Sequence, residues 1–438
     1  MALPLFLPCA AGVEALLAEE VRALLPQAPV SEMRGGVALP GDPFEAMTLN
    51  LESRLAQRVL VEVGTADYRS EDDIYALGHA VRWSDWVTPR HTLRVDVTTQ
   101  RSPLRSPNFA GLRIKDAICD VLRDATGQRP SVDTRHPDLP VVLHLGESQA
   151  VLYVDTSGEA LFKRGWRVDK GDAPLKETLA AAILAAAGWR GTPERGGALH
   201  DPCCGSGTIP IEAAQIACGI APGLKRRFAF EGLLPFADAA LRSQWRRLKA
   251  DAQARIHPAR VPVSGADVSF RMVDFARRNA ERAGVAHVVT FNGGDALERP
   301  APTIAADLHG TLVVNPPYGE RIDPKGARGP AAAVPDEIGR EAPRRVRARR
   351  AADADAAENR ALPSDFYARL AAHWKRAYAP HPGGWTAWVL SPDMKLPSAM
   401  RLNEARRMPM WNGPLECRLF RFDLIAGSAR APRDDAAA

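Results

Sequence analysis

The chain has 438 residues, of which 46% are apolar and 25% are charged. This composition excludes a disordered or fibrous protein and predicts two or three globular domains. The longest apolar runs fall far short of a bilayer span, and acidic residues interrupt the N-terminal segment, so we expect no membrane span and no export signal. The net charge of +5 permits a nucleic-acid partner. Six cysteines without a C-x-x-C pair or a His/Cys cluster predict no disulfide framework, no metal site and a cytoplasmic location.

Residues 1–156 alternate short β-like runs with helical ones. A strand-like period predicts strands at residues 59–63 and 92–97, and the apolar runs at residues 141–145 and 150–155 predict a strand pair around the turn at residues 146–149. A 3.6-residue apolar period predicts a helix over residues 114–122. We therefore predict an α+β region of two small units, at residues 1–45 and 46–156, followed by a basic, glycine-punctuated linker at residues 157–175.

From residue 176 to residue 428 the pattern is that of an α/β domain. Strands are predicted at residues 199–200, 261–267, 288–291 and 311–314, with a helix after each of the first two. This alternation predicts a parallel sheet that binds ligands at the carboxyl ends of its strands. Asn412-Gly413 between two apolar runs predicts a hairpin. Residues 323–362 lack an apolar period and are predicted to be a disordered insertion, and residues 429–438 are predicted to be a tail.

The first motif that carries chemistry is Asp-Pro-Cys-Cys-Gly-Ser-Gly-Thr at residues 201–208, between a predicted strand and a predicted helix. Its glycines allow a tight turn and a close approach of ligand to backbone. The helix N-terminus behind them offers unpaired N–H groups to a ligand carboxylate, and the aspartate can accept from a ligand ammonium. By itself a glycine turn is not specific. The motif predicts a site for the amino-acid end of a cofactor, formed by Asp201, Cys203, Gly205, Ser206 and Gly207.

Two further acids follow predicted strands. Asp267 ends the second strand, where a carboxylate commonly binds the ribose hydroxyls of an adenosine-type ligand. Asp295 follows the third strand and is placed to meet an adenine edge. Each acid alone would be read as a helix cap or a surface acid. In this order, each at a strand end, they predict one nucleoside pocket.

The most specific motif is Asn315-Pro316-Pro317-Tyr318, after the fourth strand. An exocyclic amine conjugated to a ring is a poor nucleophile because its lone pair is delocalised. The side-chain oxygen of Asn315 and the carbonyl of Pro316 can both accept from such an amine and orient it toward a methyl donor. The prolines fix the loop, and Tyr318 can stack on the base. A cationic sulfonium donor needs no strong base, so catalysis would come mainly from orientation.

In this order the motifs resemble those of class I methyltransferases that act on amino nitrogens. Segments 157–167, 174–177, 315–321 and 412–419 are similar to the bacterial THUMP-containing 23S rRNA guanine-N2 methyltransferases, the RlmL family. The resemblance implies a Rossmann-like class I sheet with a C-terminal antiparallel hairpin, preceded by ferredoxin-like and THUMP regions. It implies S-adenosylmethionine as cofactor and the N2 amine of a flipped guanine in 23S rRNA as acceptor. Some relatives carry a second methyltransferase domain, whereas we expect one here.

The resemblance also implies which basic residues contact RNA. The THUMP region of the family grips RNA, and its counterpart here supplies Arg105, Arg113 and Lys115. The basic linker adds Lys163, Arg164 and Arg167 around Trp166, a pattern suited to phosphate contacts beside a stacking ring. A solvated linker is an equal alternative. Glu177 and Lys176 are expected either to approach the cofactor or to form a surface ion pair.

Several functions remain open at this point. Asn-Pro-Pro-Tyr also serves adenine N6, protein glutamine and tRNA guanine-N2 methylation, and the motif does not separate them. The THUMP-like front half favours RNA, either free or in a pre-ribosomal particle. A tRNA guanine-N2 methyltransferase is one alternative. A non-catalytic RNA-binding ribosome assembly factor is the other, although the intact motifs argue against it.

Overall fold

A computed structural model describes residues 2–171, 174–316 and 365–426. The predicted insertion at residues 323–362 and the predicted tail at residues 429–438 lie outside the described residues. The chain divides into two compact units. Their described parts come from Met1–Arg164 and Ala221–Arg255 for the first, and from Gly165–Ile220, Ile256–Tyr318 and Leu362–Ala438 for the second. Within the described ranges, no helix is both long enough and apolar enough to cross a membrane.

The described residues form fifteen strands and ten α-helices. The strands are β1 (Leu3–Pro8), β2 (Ser31–Met33), β3 (Gly36–Gly41), β4 (Leu60–Asp67), β5 (Thr92–Thr99), β6 (Ser131–Val132), β7 (Leu139–Leu145), β8 (Gln149–Asp155), β9 (Ala198–Asp201), β10 (Val263–Asp267), β11 (Val289–Gly293), β12 (Gly310–Val314), β13 (Trp385–Ser391), β14 (Arg406–Asn412) and β15 (Leu415–Leu424). The helices are α1 (Glu14–Leu24), α2 (Pro43–Glu52), α3 (Glu71–His79), α4 (Pro107–Thr126), α5 (Glu177–Ala186), α6 (Thr208–Ala217), α7 (Ala239–Ala254), α8 (Phe270–Ala283), α9 (Phe366–Ala377) and α10 (Leu396–Met400).

The first unit is built on one eight-stranded sheet in the order β2-β3-β1-β4-β8-β7-β5-β6. Strand β4 pairs antiparallel with β1 on one side and with β8 on the other. The two small units predicted from the sequence therefore share a continuous sheet. Helix α4 begins after Ser106, whose hydroxyl accepts from the backbone of Phe109, and ends at Gly127 in the left-handed conformation.

The segment Ala221–Arg255 belongs to the first unit although it follows α6 in the chain. It contains an aromatic cluster whose ring centroids lie 5.0 to 5.8 Å apart, formed by Phe228, Phe230, Phe236 and Trp245. Its backbone is fixed to the rest of the unit, because Phe230 N donates to Thr156 O and Gly223 N donates to Leu51 O. Burial of these rings holds the segment in place.

The second unit contains a seven-stranded sheet in the order β11-β10-β9-β12-β13-β15-β14. Strands β9 to β13 are parallel, and β15 and β14 form an antiparallel hairpin at one edge. All five residues of β12 are buried, as expected for a parallel strand covered on both faces. The predicted fold class, a parallel sheet that ends in an antiparallel hairpin, is confirmed.

Candidate active site

The loop after β9 lies at the carboxyl edge of the parallel sheet, beside the end of β10. Gly205 N donates to Asp267 Oδ2 at 2.9 Å, and Asp267 Oδ1 accepts from Ser269 N at 2.9 Å. Asp201 is 1% exposed, and its Oδ1 accepts from Cys203 N at 3.0 Å. The structure thus brings the glycine loop and the two predicted carboxylates together.

Asp201 is buried and Asp267 is partly buried, and this changes the acid–base behaviour of both carboxylates. Burial raises the pKa of Asp201 well above its ordinary value, the bond from Cys203 N opposes the shift, and the charge of Asp267 adds to it. Burial also raises the pKa of Asp267, against the two backbone bonds that it accepts. A cation placed beside these two carboxylates would stabilise their ionised form.

Gly207 is the N-cap of α6 and makes no side-chain capping bond. Its φ is +89°, and a Cβ there would lie 2.9 Å from Ala276 Cβ. Gly205 has a φ of +52°, but a Cβ on it would meet no atom within 4 Å. Packing therefore requires a glycine at position 207. Gly205 instead borders open space, beside a helix N-terminus that has no side-chain cap.

These features fit the amino-acid end of S-adenosylmethionine. Within the described residues, Asp201 accepts one backbone N–H and pairs with no basic side chain. A ligand ammonium there would compensate the buried acid, while the N–H groups at the start of α6 suit a carboxylate. The residues that would hold this part of the cofactor are Asp201, Cys203, Gly205, Ser206 and Gly207.

Asp295 follows β11 and is exposed, and its Oδ1 accepts from Leu297 N at 2.9 Å. Phe270, which follows Asp267 closely in the chain, is 79% exposed and lies against Gly293, where a Cβ would meet the ring at 2.5 Å. Val268 is 70% exposed. Sequence reasoning missed these two exposed apolar side chains, although they follow Asp267 closely in the chain, and they are candidates for a wall of the proposed nucleoside pocket.

Asn315 and Pro316 directly follow β12, which lies between β9 and β13 in the sheet. Asn315 is partly buried and Pro316 is buried. Because Leu312 pairs with His200, the end of β12 lies at the same edge as Asp201. Pro317 and Tyr318 lie outside the described residues.

The two adjacent cysteines of the loop are not activated. Burial raises the pKa of both Cys203 and Cys204 well above the ordinary value, and the charges of Asp201 and Asp267 add to this shift. Since the thiolate is the reactive form, neither residue is suited to nucleophilic catalysis.

Three of the linker residues predicted to contact RNA are placed inside the protein. Trp166 is 2% exposed and Arg164 is 3% exposed, with Arg164 Nη1 donating to Leu161 O. Arg167 Nε donates to Glu177 Oε1 at 2.9 Å, and both side chains are at most 10% exposed. The prediction of RNA contacts is corrected for Arg164, Trp166 and Arg167, because a buried ring cannot stack on a base. Glu177 forms a buried ion pair, not a surface one.

The remaining predicted RNA contacts lie at or near the surface of the first unit. Arg105 and Lys163 are exposed, and Lys115 is partly buried. Arg113 is partly buried, pairs with Asp72 at 2.8 Å and lies over the ring of Tyr75. These four residues stay available as proposed RNA contacts.

Asn279 on α8 is a further residue that sequence reasoning missed. It is fully buried, and its Nδ2 donates to Ser206 O at 3.0 Å and to Asp169 O at 2.8 Å. Its Oδ1 accepts from the backbone N–H of Val168 and Asp169. Asn279 thus joins the glycine loop to the linker segment, a contact that no local pattern indicates.

The chain matches three family models. They are the RlmL ferredoxin-like domain over residues 4–60, the THUMP domain over residues 68–155, and the RMKL-like methyltransferase domain over residues 164–364. Their order along the chain is that of the predicted ferredoxin-like, THUMP and methyltransferase regions.

Individual proteins match over most of the chain. It is 36% identical over 417 residues to the ribosomal RNA large subunit methyltransferase K/L of Syntrophotalea carbinolica, covering 94% of this chain and 52% of that protein. The chain thus spans about half the length of the curated relatives it matches. Among solved structures, SMU.472 in complex with SAH has a TM-score of 0.75 and 26% identity, over 98% of this chain and 99% of its own. A protein of Listeria monocytogenes described as a predicted N6-adenine-specific DNA methylase has a TM-score of 0.73 and 25% identity, over 96% of both chains.

Proposed function

Because the chain belongs to the RlmL family of THUMP-containing class I methyltransferases, we propose that it methylates large-subunit ribosomal RNA with S-adenosylmethionine as the cofactor. The acceptor that we propose is the exocyclic N2 amine of a guanine in 23S rRNA. The observation that carries this proposal is the position of Asn315 at the end of β12, beside the strand that ends in Asp201.

The residues of this chain have distinct roles in the proposed reaction. The cofactor, when bound, supplies a methyl group on a cationic sulfonium. Asp201 and the start of α6 hold its amino-acid end, and Asp267 holds its ribose. Asn315 Oδ1 and Pro316 O accept the two amine hydrogens, which turns the nitrogen lone pair toward the methyl carbon. Fixing two reactants in this way can contribute on the order of 7–11 kcal/mol. The N2 nitrogen gains the methyl group as the carbon–sulfur bond breaks, and the methylated amine then releases one proton to water, so the transfer needs no strong base.

RNA as the substrate is supported by the THUMP domain at residues 68–155 and by relatives named for the large ribosomal subunit. Arg105, Arg113, Lys115 and Lys163 are the basic residues that we propose to contact its phosphates. The motif chemistry is shared with adenine N6 transfer, and the Listeria neighbour is described in those terms. Adenine is therefore the competing acceptor.

Mass spectrometry of nucleosides tests the proposal directly. Large-subunit rRNA from cells that lack the gene should lose an N2-methylguanosine, which the wild-type gene restores and the Asn315→Ala variant does not. Loss of an N6-methyladenosine instead would identify adenine as the acceptor. An unchanged rRNA profile with a loss in tRNA would move the substrate to tRNA guanine.

A further inference from the structure

The end of β13 lies beside Asn315 at the carboxyl edge of the sheet. Strands β12 and β13 are parallel neighbours in which Val314 pairs with Val389, and β13 continues beyond this pair to Ser391. Ser391, the last residue of β13, is fully buried, and its hydroxyl accepts from Asp393 N at 3.1 Å. This bond fixes Asp393 just beyond the strand end, on the side of Asn315 opposite to the cofactor loop.

Tyr367 of α9 completes this side of the edge. Burial raises the pKa of its phenol, a hydrogen bond with Ser391 opposes the shift, and the charge of Asp393 adds to it, so the three side chains form one group. Tyr367 and Cys203 both pack against the same apolar cluster. Met394 is 41% exposed beside Asp393, which leaves an apolar side chain available to the face of a base.

Asp393 itself is exposed, and only one of its two carboxylate oxygens accepts a hydrogen bond from the described residues. Its Oδ1 accepts from Lys395 N at 2.8 Å, the bond of an ordinary Asx turn. Its Oδ2 accepts no hydrogen bond from the residues that the structure describes. A turn alone would be served equally well by asparagine, so the turn does not explain why an acid stands here.

Guanine and adenine differ at the ring nitrogen next to the reactive amine. In guanine, N1 carries a hydrogen and lies beside the N2 amine, whereas N1 of adenine is a bare acceptor beside the N6 amine. Ionised carboxylates only accept hydrogen bonds. Adjacent strands lie about 4.8 Å apart, so side chains that follow β12 and β13 can reach the same edge of one base.

We propose that Asp393 is a specificity-determining residue that accepts the N1–H of the target guanine while Asn315 holds its N2 amine. A base with a bare N1 would direct a lone pair at the carboxylate and be rejected. This inference rests on the proposed function, because it assumes that an amine at C2 of a purine is methylated.

The test changes one hydrogen-bonding group on the protein and the N1–C6 edge of the base. Asp393→Asn keeps an oxygen for Lys395 N and replaces the other oxygen by an NH2 donor. The RNA is a synthetic fragment of the rRNA segment that the wild-type protein modifies, with guanine or 2,6-diaminopurine at the target position. Diaminopurine keeps the C2 amine, has a bare N1 and carries an amine in place of the oxygen at C6. The control is Asp423→Asn, which removes the same charge from the opposite edge of the sheet, where Asp423 pairs with Thr386.

The wild-type protein and the control should prefer guanine to diaminopurine in kcat/KM. In Asp393→Asn this preference should fall by roughly 10²-fold, since an unpaired polar group in a hydrogen-bonding site is strongly rejected, while affinity for S-adenosylhomocysteine stays unchanged. An equal loss on both bases would show a structural role only and overturn the inference. If the wild-type protein methylates no guanine in large-subunit rRNA, the proposed function fails first and the inference fails with it.

Discussion

Asn315 and Asp267 lie at strand ends of the same sheet, but they are proposed to act on different ligands. Replacing Asn315 by alanine removes an acceptor for the amine and leaves Asp201 and Asp267 untouched. We expect turnover to fall by about 10²-fold or more, because a misoriented nucleophile loses the benefit of alignment, with affinity for S-adenosylhomocysteine unchanged by titration calorimetry. Normal turnover in this variant would refute the proposed role of Asn315.

Asp267→Ala should have the opposite signature. The carboxylate accepts from Gly205 N, so its removal leaves a loop N–H without its partner and also removes the proposed ribose acceptor. An unsatisfied buried donor costs about 1–3 kcal/mol, which corresponds to a loss in affinity for S-adenosylhomocysteine of roughly 10- to 100-fold. Asp274→Ala on the exposed face of α8 is the matched control. Equal affinities in the two variants would show that the pocket is misassigned.

His200 in β9 makes stability depend on pH. Burial, with a smaller contribution from the positive charge of Arg299, lowers its pKa from 6.5 to about 3, and its Nδ1 lies 2.8 Å from Ser264 Oγ. The unfolded chain therefore takes up a proton between pH 6.5 and about 3 that the folded protein does not, so stability falls as pH falls through this window.

The expected loss from His200 is about 1.4 kcal/mol per pH unit, or about 2 kcal/mol between pH 7 and pH 5. Urea unfolding of the wild type and of His200→Gln at these two pH values measures it. The variant should lose about 2 kcal/mol less than the wild type on acidification. An identical loss would show that other groups dominate the acid response.

At the scale of elements, Gly207 shows how packing fixes the cofactor loop. Gly207→Ala adds a Cβ 2.9 Å from Ala276 Cβ and 3.1 Å from the Phe291 ring, in a backbone with φ +89°. We expect a loss of about 1–3 kcal/mol in unfolding free energy, together with weaker S-adenosylhomocysteine binding. Gly413→Ala is the control, since its φ is +61° but its Cβ would meet nothing within 4 Å. The control carries the backbone cost alone, so equal losses would exclude the steric contact.

Among the elements, the sequence predicts the strand ends of the second unit but not the burial of the linker segment. The strand ends at Asp201, Asp267 and Asn315 follow from local patterns, because buried parallel strands are short apolar runs and their ligands lie at the ends. The burial of Trp166 and Arg167 does not follow, because a basic, glycine-punctuated segment has the composition of a solvated linker. Its partners, such as Asn279, lie about 110 residues away, and no local period encodes such contacts.

The whole molecule departs from the linear order of its domains, because Ala221–Arg255 leaves the methyltransferase region and packs within the first unit. Hydrophobicity predicts that Phe230 and Trp245 are buried, but not in which unit. That depends on long-range contacts such as the bond from Leu234 N to Trp86 O. Cutting the chain at the linker would therefore not release an intact catalytic unit.

Two truncations test this arrangement. A protein that begins at Gly165 would expose Phe228, Phe230 and Trp245, and we expect it to aggregate, since large apolar patches drive association. His257 N donates to Cys218 O at 3.0 Å, so the two ends of the inserted segment lie close together and a short glycine–serine linker can replace residues 221–255. This second truncation begins at Gly165 and carries the glycine–serine linker in place of residues 221–255. It should be monodisperse on size-exclusion chromatography and bind S-adenosylhomocysteine without methylating rRNA. If the first truncation is equally soluble, the segment does not depend on the N-terminal residues for its burial.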